Sequence, residues 1–255
     1  MGFSLLTPDY IIWNLGRSAE GRVLDVLTIA PQGANAPPPK TPQKASWPWV
    51  LLLSGVHGDE IEGVWLLEEV RSAWVKQYPF KKVGVILWTQ VNPDGVAKAT
   101  RWNSKHVDLN RNLPTKDWSP QVKNPRYPPG LTAASELETK ALIELIHACE
   151  PCAVLSVHSF ERFQINVNGP ATEWANVLAQ VCKYPVTEDI GYPTPGSLGT
   201  YSGKEKGIPT ITLEIEKGLS KDEVLKIHFP VIESALQFWD ERVGAFMGSK
   251  SDTVL

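Results

Sequence analysis

Residues 49–70 read WVLLLSGVHGDEIEGVWLLEEV, and two structural patterns meet inside them. Trp49 to Val56 is a short, almost unbroken apolar run, as expected of a strand buried on both faces. From Glu60 to Lys76 the apolar residues change to helical spacing, with Val64, Leu67, Val70 and Trp74 on one stripe. Between the two lies His57-Gly58-Asp59-Glu60. Gly58 gives a turn its backbone freedom and Asp59 suits an N-cap. Neither requirement explains His57. The stretch is therefore a strand, a turn and a helix, and the turn is either a polar helix start or a clip presenting two metal ligands.

The same alternation continues outward. Apolar runs at Val23–Ala30, Val83–Val91, Ala153–Val157 and Thr210–Ile215 predict further strands of a sheet covered on both faces. Ser135 opens a helix, with Glu138 as the second half of a capping box and Ala141, Leu142, Leu145 and Ile146 on its apolar face. Thr172–Lys183 is another helix. Ser220 and Glu223 form a second capping box before a C-terminal helix that Pro230 is expected to kink or split. With no internal repeat and no dividing linker, the pattern predicts one α/β domain over residues 1–255. Its expected architecture is an α/β/α sandwich around a mixed, largely parallel twisted sheet. Pro31–Pro48 reads as a surface loop, and Leu113–Gly130 as a longer irregular loop of a kind that often carries function.

Composition narrows the classes of function. Of the 255 residues, 42% are hydrophobic and 21% charged, which suits a folded domain rather than a disordered chain. A net charge of −3 argues against a general nucleic-acid binder, while a few placed arginines suffice for small anionic ligands. The opening MGFSLLTPDYIIWNLGR has no basic segment before its apolar residues, and Pro8 and Asp9 interrupt them, so no signal peptide is expected. There is no run of about 18 apolar residues to span a membrane. Three cysteines fit a reducing compartment, and the expected location is the cytoplasm. Cys149 and Cys152 form a Cys-x-x-Cys without a second pair, and read as two small apolar residues near a helix end. The sequence fixes no oligomeric state.

In open α/β sheets ligands bind beyond the carboxyl ends of the strands. Sorted by that rule, His57 and Glu60 follow the strand ending at Val56, Asn92–Gly95 (NPDG) follows the next, His158 follows AVLSV, and Glu214 lies near the end of TITLE. Two histidines and a glutamate suit zinc, with one coordination position left for water. His-x-x-Glu alone is weak, and His158 alone reads as a core histidine; together they point to a metal. A second carboxylate should stand beside the metal as base, and Glu214 fits, because a glutamate inside IPTITLEI is otherwise costly to bury. Its plain alternative is an outward-facing strand residue, sharing a face with Glu216. Thr100–Pro114 supplies cations: Arg101 and Arg111 suit oxyanions, and Asp108 could orient a ligand histidine through its second ring nitrogen. His106, His147 and His228 look ordinary, with no partner implied.

Taken together, GVHGDE, NPDG, Arg101 followed by VDLNRN, SELET, SVHS, GYPTPGSLG and TITLE resemble the zinc carboxypeptidase (funnelin) superfamily, most of all its murein peptide amidases. The likeness runs in order from about residue 50 to 216. It implies a zinc carboxypeptidase-like fold, zinc held by His57, Glu60 and His158, and Glu214 as general base and acid. It implies that Arg101 polarises the scissile carbonyl and stabilises the oxyanion, and that Asn110 and Arg111 hold the terminal carboxylate of a small peptide substrate. The implied reaction is hydrolysis of the γ-D-Glu–meso-diaminopimelate bond of a muropeptide by a metal-activated water, in cytoplasmic wall recycling. His106 stands where a glycine usually precedes VDLN, Leu113 where a phenylalanine follows NRN, and Glu216 where a proline is common. Tyr192 is the candidate for the mobile tyrosine of carboxypeptidases, and Tyr201 a weaker one.

Two enzyme alternatives use the same scaffold: an ordinary C-terminal carboxypeptidase, or an acyl-amino-acid deacylase, which NPDG and GSLGTY disfavour. A catalytically idle peptide-binding protein is a third alternative, opposed by the intact His57, Glu60, His158 and Glu214.

Overall fold

The computed structural model describes residues 10–122 and 124–249. Eight strands form one sheet: β1 Tyr10–Arg17, β2 Val23–Ile29, β3 Trp49–Leu53, β4 Gly84–Trp88, β5 Ala153–Phe160, β6 Gln164–Asn168, β7 Val186–Thr187 and β8 Thr210–Glu216. Their order is β1-β2-β4-β3-β5-β8-β6-β7. The centre, β4-β3-β5-β8, is parallel, and antiparallel strands flank it on both sides. The helices are α1 Ile61–Lys76, α2 Pro93–Lys98, α3 Leu137–Cys149, α4 Thr172–Cys182 and α5 Lys221–Ser249.

Alternation along the central strands feeds two cores. Val50 and Leu52 face one, with Leu66, Val70 and Trp74 of α1, Trp174 and Leu178 of α4, and Val231 and Ile232 of α5. Trp49, Leu51 and Leu53 face the other, with Leu142, Leu145 and Ile146 of α3. Each such fully buried aliphatic side chain contributes about 1.5–3 kcal/mol, and burial on both faces is why these strands read as continuous apolar runs. The expected α/β/α sandwich with a mixed sheet is the fold observed.

Several local expectations are corrected. Asp59 does not cap α1: Glu60 is the N-cap residue, without a side-chain cap bond, and Asp59 instead lies 3.7 Å from Lys217 Nζ. Ser135 and Glu138 form no capping box, because α3 starts at Leu137 and the Ser135 hydroxyl donates to Glu136. The Ser220–Glu223 box does form, with Ser220 N–H 2.9 Å from the Glu223 carboxylate. Pro230 does not split α5, which runs unbroken from Lys221 to Ser249. The apolar face of that helix, carrying Val224, Val231, Ile232, Ala235 and Leu236, is fully buried, and that packing outweighs the one backbone hydrogen bond proline removes. Three strands were not anticipated. β1 is a half-exposed edge, β7 has two residues, and β6 reads Gln-Ile-Asn-Val-Asn, whose buried amides break the apolar run.

Candidate metal centre

β3 delivers the chain to the carboxyl edge of the parallel sheet, and residues 54–60 turn it into α1. That turn is held from below by the NPDG segment. Asn92 N–H donates to the Gly55 carbonyl at 2.8 Å, and Asn92 Nδ2 to the Val56 carbonyl at 3.3 Å. Gly58 is required here for close approach rather than for conformational freedom: a Cβ on it would lie 1.9 Å from the Gly95 carbonyl carbon. NPDG thus lies at its strand end as the sequence indicates, and there it supports the turn and is not among the residues lining the cavity. Asp94 is fully buried and bound to Ser18 Oγ and Arg22 Nη1, both at 2.7 Å, and the segment buttresses the turn.

The turn points His57 and Glu60 at His158, which sits within β5 rather than after it, since that strand continues to Phe160. His57 Nδ1 and His158 Nδ1 are 3.1 Å apart, and the Glu60 carboxylate oxygens lie 2.9 Å and 2.8 Å from them. All three side chains are buried, and among the described residues this is the cluster of ligating groups that could hold a metal ion. The other nitrogen of His57, Nε2, is 3.0 Å from Asp108 Oδ1. An N–H donated there leaves the Nδ1 lone pair facing inward. Two inward imidazole nitrogens beside a carboxylate are mutually unfavourable unless a proton or cation lies between them, and the donor set is that of a zinc site. Burial and the Arg101 cation act to lower the pKa of His57, but Glu60 and Asp108 outweigh them and raise it. Burial acts to raise Glu60, yet the two histidines hold it well below the ordinary carboxylate range.

Glu214 on β8 is the register neighbour of His158 on β5 and opens into the same cavity of about 460 Å³. Burial pushes its pKa up to about 7, opposed by His158 and reinforced by Glu60. Glu216 on the same strand face is exposed, so the outward-facing alternative fits Glu216 and not Glu214. Arg101 reaches the cavity with its Nε donating to Asp108 Oδ2 at 2.9 Å and its Nη1 to Glu60 at 3.2 Å. Asn110 Oδ1 accepts from Leu198 N–H at 2.8 Å, and among the described residues its Nδ2 has no hydrogen-bond acceptor. Arg111 is buried, and its Nη1 donates to the Asn110 carbonyl at 2.7 Å. Tyr192 also lines the cavity. The sheet and the arginine loop thus bring His57, Glu60, His158, Glu214, Arg101, Asn110, Arg111 and Tyr192 to one place.

Other residues stand apart. Tyr201 is buried and bonded to His147 at 3.0 Å, and Tyr184 bonds His228 at 2.9 Å, so two of the histidines that read as unpartnered have structural partners. His106 has a φ of 61°, the left-handed conformation that makes glycine usual at that position. Cys149 and Cys152 are free, and burial pushes both thiols up to about 12, consistent with apolar packing residues. Tyr127 was missed by sequence reasoning. It lies in the irregular 113–130 loop, lines the cavity and stacks on Tyr192 with ring centroids 5.9 Å apart. Its only sequence signal is the length of that loop.

A family model described as zinc carboxypeptidase matches residues 8–173, a span that contains the clustered His57, Glu60 and His158 and ends before Glu214. Murein peptide amidase A of Vibrio campbellii is 33% identical over 201 residues, 73% of this chain and 77% of that protein. The Escherichia coli protein of the same name is 32% identical over 185 residues, 68% of this chain and 73% of its own length. Among solved structures, murein-tripeptide amidase from Escherichia coli O157 superposes with a TM-score of 0.68 at 29% identity, covering 89% of this chain and 90% of that one. Carboxypeptidase A from Helicoverpa armigera superposes with a TM-score of 0.73 at 18% identity, over 93% of this chain and 69% of that one, and shares the fold.

Proposed function

The chain belongs to the zinc carboxypeptidase family and is a metallopeptidase or amidase, and on that premise we propose that it hydrolyses the γ-D-Glu–meso-diaminopimelate amide bond of murein peptides. In this reading His57, Glu60 and His158 hold zinc, Glu214 and Arg101 do the chemistry, and Asn110, Arg111 and Tyr192 bind substrate. The observation that carries it is the buried Glu214 carboxyl, in register beside a converging His-Glu-His set. The substrate assignment draws on relatives named murein peptide amidase A that span over two thirds of the chain.

When bound, zinc supplies a Lewis acid that polarises the carbonyl and makes water more acidic. The chain's own groups provide the remaining steps. Arg111 and the Nδ2 of Asn110 bind the substrate's terminal carboxylate, which sets the depth of the scissile bond. Glu214 takes one proton from the attacking water as the new C–O bond forms. Its pKa near 7 suits a base that must also give that proton back near neutral pH. The proton then goes to the amine nitrogen as the C–N bond breaks. Arg101, fixed by Asp108, keeps a guanidinium edge for the oxyanion that develops at the carbonyl oxygen. Tyr192 closes the side of the cavity next to Arg111. The location we propose is the cytoplasm, supported by three free thiols; among the described residues no helix is long and apolar enough to cross a membrane.

Incubation with L-Ala-γ-D-Glu-meso-diaminopimelate beside ordinary α-linked peptides tests the substrate. Release of diaminopimelate from the γ-linked tripeptide alone is expected, and cleavage of the α-linked peptides instead would overturn the assignment. Metal analysis is expected to find about one zinc per chain. A protein that takes up no zinc on titration would overturn the ligand set.

A further inference from the structure

Arg101 and Arg111 are two of the cations that line the cavity, and they are not equally supported. Arg101 has two carboxylate partners, Asp108 and Glu60. Arg111 is 5% exposed and has no carboxylate partner within ion-pair distance among the described residues, where its guanidinium makes a single hydrogen bond, to the Asn110 carbonyl. A buried cation so lightly compensated is costly unless another group offsets it. Asp108 and Glu214 act on it only at longer range, and the group in direct contact is the ring of Tyr127. The Arg111 guanidinium carbon is 5.0 Å from its centroid, and that of Arg101 is 4.9 Å from the same centroid. Both lie within the range at which an aromatic face attracts a cation.

The ring is held in place from several directions. Trp102 Nε1 donates to the Arg126 carbonyl at 2.8 Å, Asp108 N–H to the Pro128 carbonyl at 2.8 Å, and Asn112 Nδ2 to the Pro129 carbonyl at 2.8 Å. The backbone on both sides of Tyr127 is therefore tied to the segment that carries the arginines. Pro128 restricts Tyr127 to extended backbone, and Tyr192 stacks on the ring at an interplanar angle of 13°. An irregular loop with this many attachments fixes one aromatic ring within reach of two cations.

We propose that Tyr127 is a positioning residue that uses its π face to hold Arg101 and Arg111 at the spacing needed to engage, respectively, the oxyanion and the substrate carboxylate. This rests on the roles given to the two arginines above. The ring offsets the repulsion between the guanidiniums and spares Arg111 a carboxylate partner, so that its charge stays available for a carboxylate ligand. Loss of the ring acts on both arginines: KM rises through Arg111 and kcat falls through Arg101.

The test is a graded series at position 127 in the full zinc-loaded chain: Tyr127→Phe, then mono-, tri- and pentafluorinated phenylalanine, then Tyr127→Leu. Fluorination drains the π face with little change of shape, so a ring that only fills space is insensitive to it. Tyr127→Phe is expected to keep most of kcat/KM for the muropeptide, each fluorination step to lower it, and Tyr127→Leu to lower it roughly ten- to hundredfold with both KM and kcat affected. A flat fluorination series overturns the proposal. A second readout needs no substrate: the Nε–Hε resonances of Arg101 and Arg111 in labelled protein carry the ring's shielding. They are expected to move in Tyr127→Leu and to stay nearly in place in Tyr127→Phe. Unmoved resonances in Tyr127→Leu overturn the proposal even if activity falls. A wild-type chain that does not cleave the muropeptide overturns the substrate reading, and the resonances then decide the role of Tyr127 alone.

Discussion

Asp108→Asn tests the residue on which His57, a proposed metal ligand, and the arginine loop converge. Asp108 is fully buried and accepts three hydrogen bonds: His57 Nε2 at 3.0 Å, the Asn110 N–H at 2.9 Å, and Arg101 Nε at 2.9 Å. The carboxylate serves Arg101 with one oxygen and the other two donors with its second. An asparagine cannot do both. If its oxygen faces His57, its amide NH₂ meets the Arg101 Nε–H donor against donor, and a charge-assisted hydrogen bond of about 1.5–3 kcal/mol is lost. If the amide is flipped, NH₂ faces His57 Nε2, which drives the ring proton to Nδ1 and removes the lone pair that ligates metal. In either orientation the negative charge behind the ligand is gone. Replacement of such a supporting carboxylate typically weakens metal binding by about 10–100-fold, equivalent to about 1.4–2.7 kcal/mol. Competition titration of zinc against a chelator reads that shift directly, and kcat/KM for the muropeptide is expected to fall with it. A thermal melt monitors the fold, which two large apolar cores should preserve. Zinc affinity and kcat/KM that both stay within twofold of wild type would falsify the assignment of His57 as a ligand oriented by Asp108.

Glu214→Gln is expected to retain zinc and substrate binding and to lose hydrolysis by about 10²–10⁴-fold, because the amide can neither take nor return a proton; retained turnover would place the base elsewhere. Arg111→Lys replaces a planar, two-pronged donor with a point charge, and is expected to raise KM by about tenfold with a smaller effect on kcat. A purely kcat effect would remove Arg111 from the carboxylate site. His228 links stability to pH. Burial lowers its pKa from 6.5 to about 4, so the folded state keeps it neutral while the unfolded chain takes up a proton. The contribution is fully present above pH 6.5 and is lost as pH falls toward 4, on the order of 3 kcal/mol over the whole window. Urea midpoints of wild type and His228→Gln should diverge most in pH dependence between those limits, and parallel curves would contradict the assignment.

The centre of the fold was legible because burial on both faces erases alternation. β3, β4, β5 and β8 read as apolar runs since helices cover both sides of the parallel sheet, and the α1 stripe of Val64, Leu67, Val70 and Trp74 is buried as its spacing required. The flanking strands were not legible for the opposite reason. β6 buries amides that satisfy one another locally, with Asn168 Nδ2 donating to Asn166 Oδ1 at 2.9 Å, and no hydrophobicity pattern reports that. Pro230 misled because proline's local cost was weighed without the tertiary face that surrounds it. NPDG was legible in part. Its position at a strand end was correct, but whether its buried carboxylate faces the cavity or pairs with a half-exposed arginine depends on Arg22, some 70 residues earlier in the chain.

The site divides along the same line. His57, Glu60 and His158 could be grouped from sequence because each lies at the carboxyl edge of a central strand, and the sheet order β3-β5-β8 then carries Glu214 to the neighbouring strand. Regular structure has this property: position along a strand and order within a sheet fix where a side chain arrives to within a few ångströms. Tyr127 obeys no such rule. Its placement depends on three loop-to-loop hydrogen bonds and a proline, none of which has a period or a motif. The proposed metal ligands and base therefore sit on the part of the molecule where sequence determines geometry most directly. The groups that tune the arginines sit where it does so least, in a loop that can change without disturbing the sheet. Divergence within one scaffold is easiest at such positions, so residues 113–130, rather than the ligand set, are where differences in substrate choice among proteins of this fold should be sought.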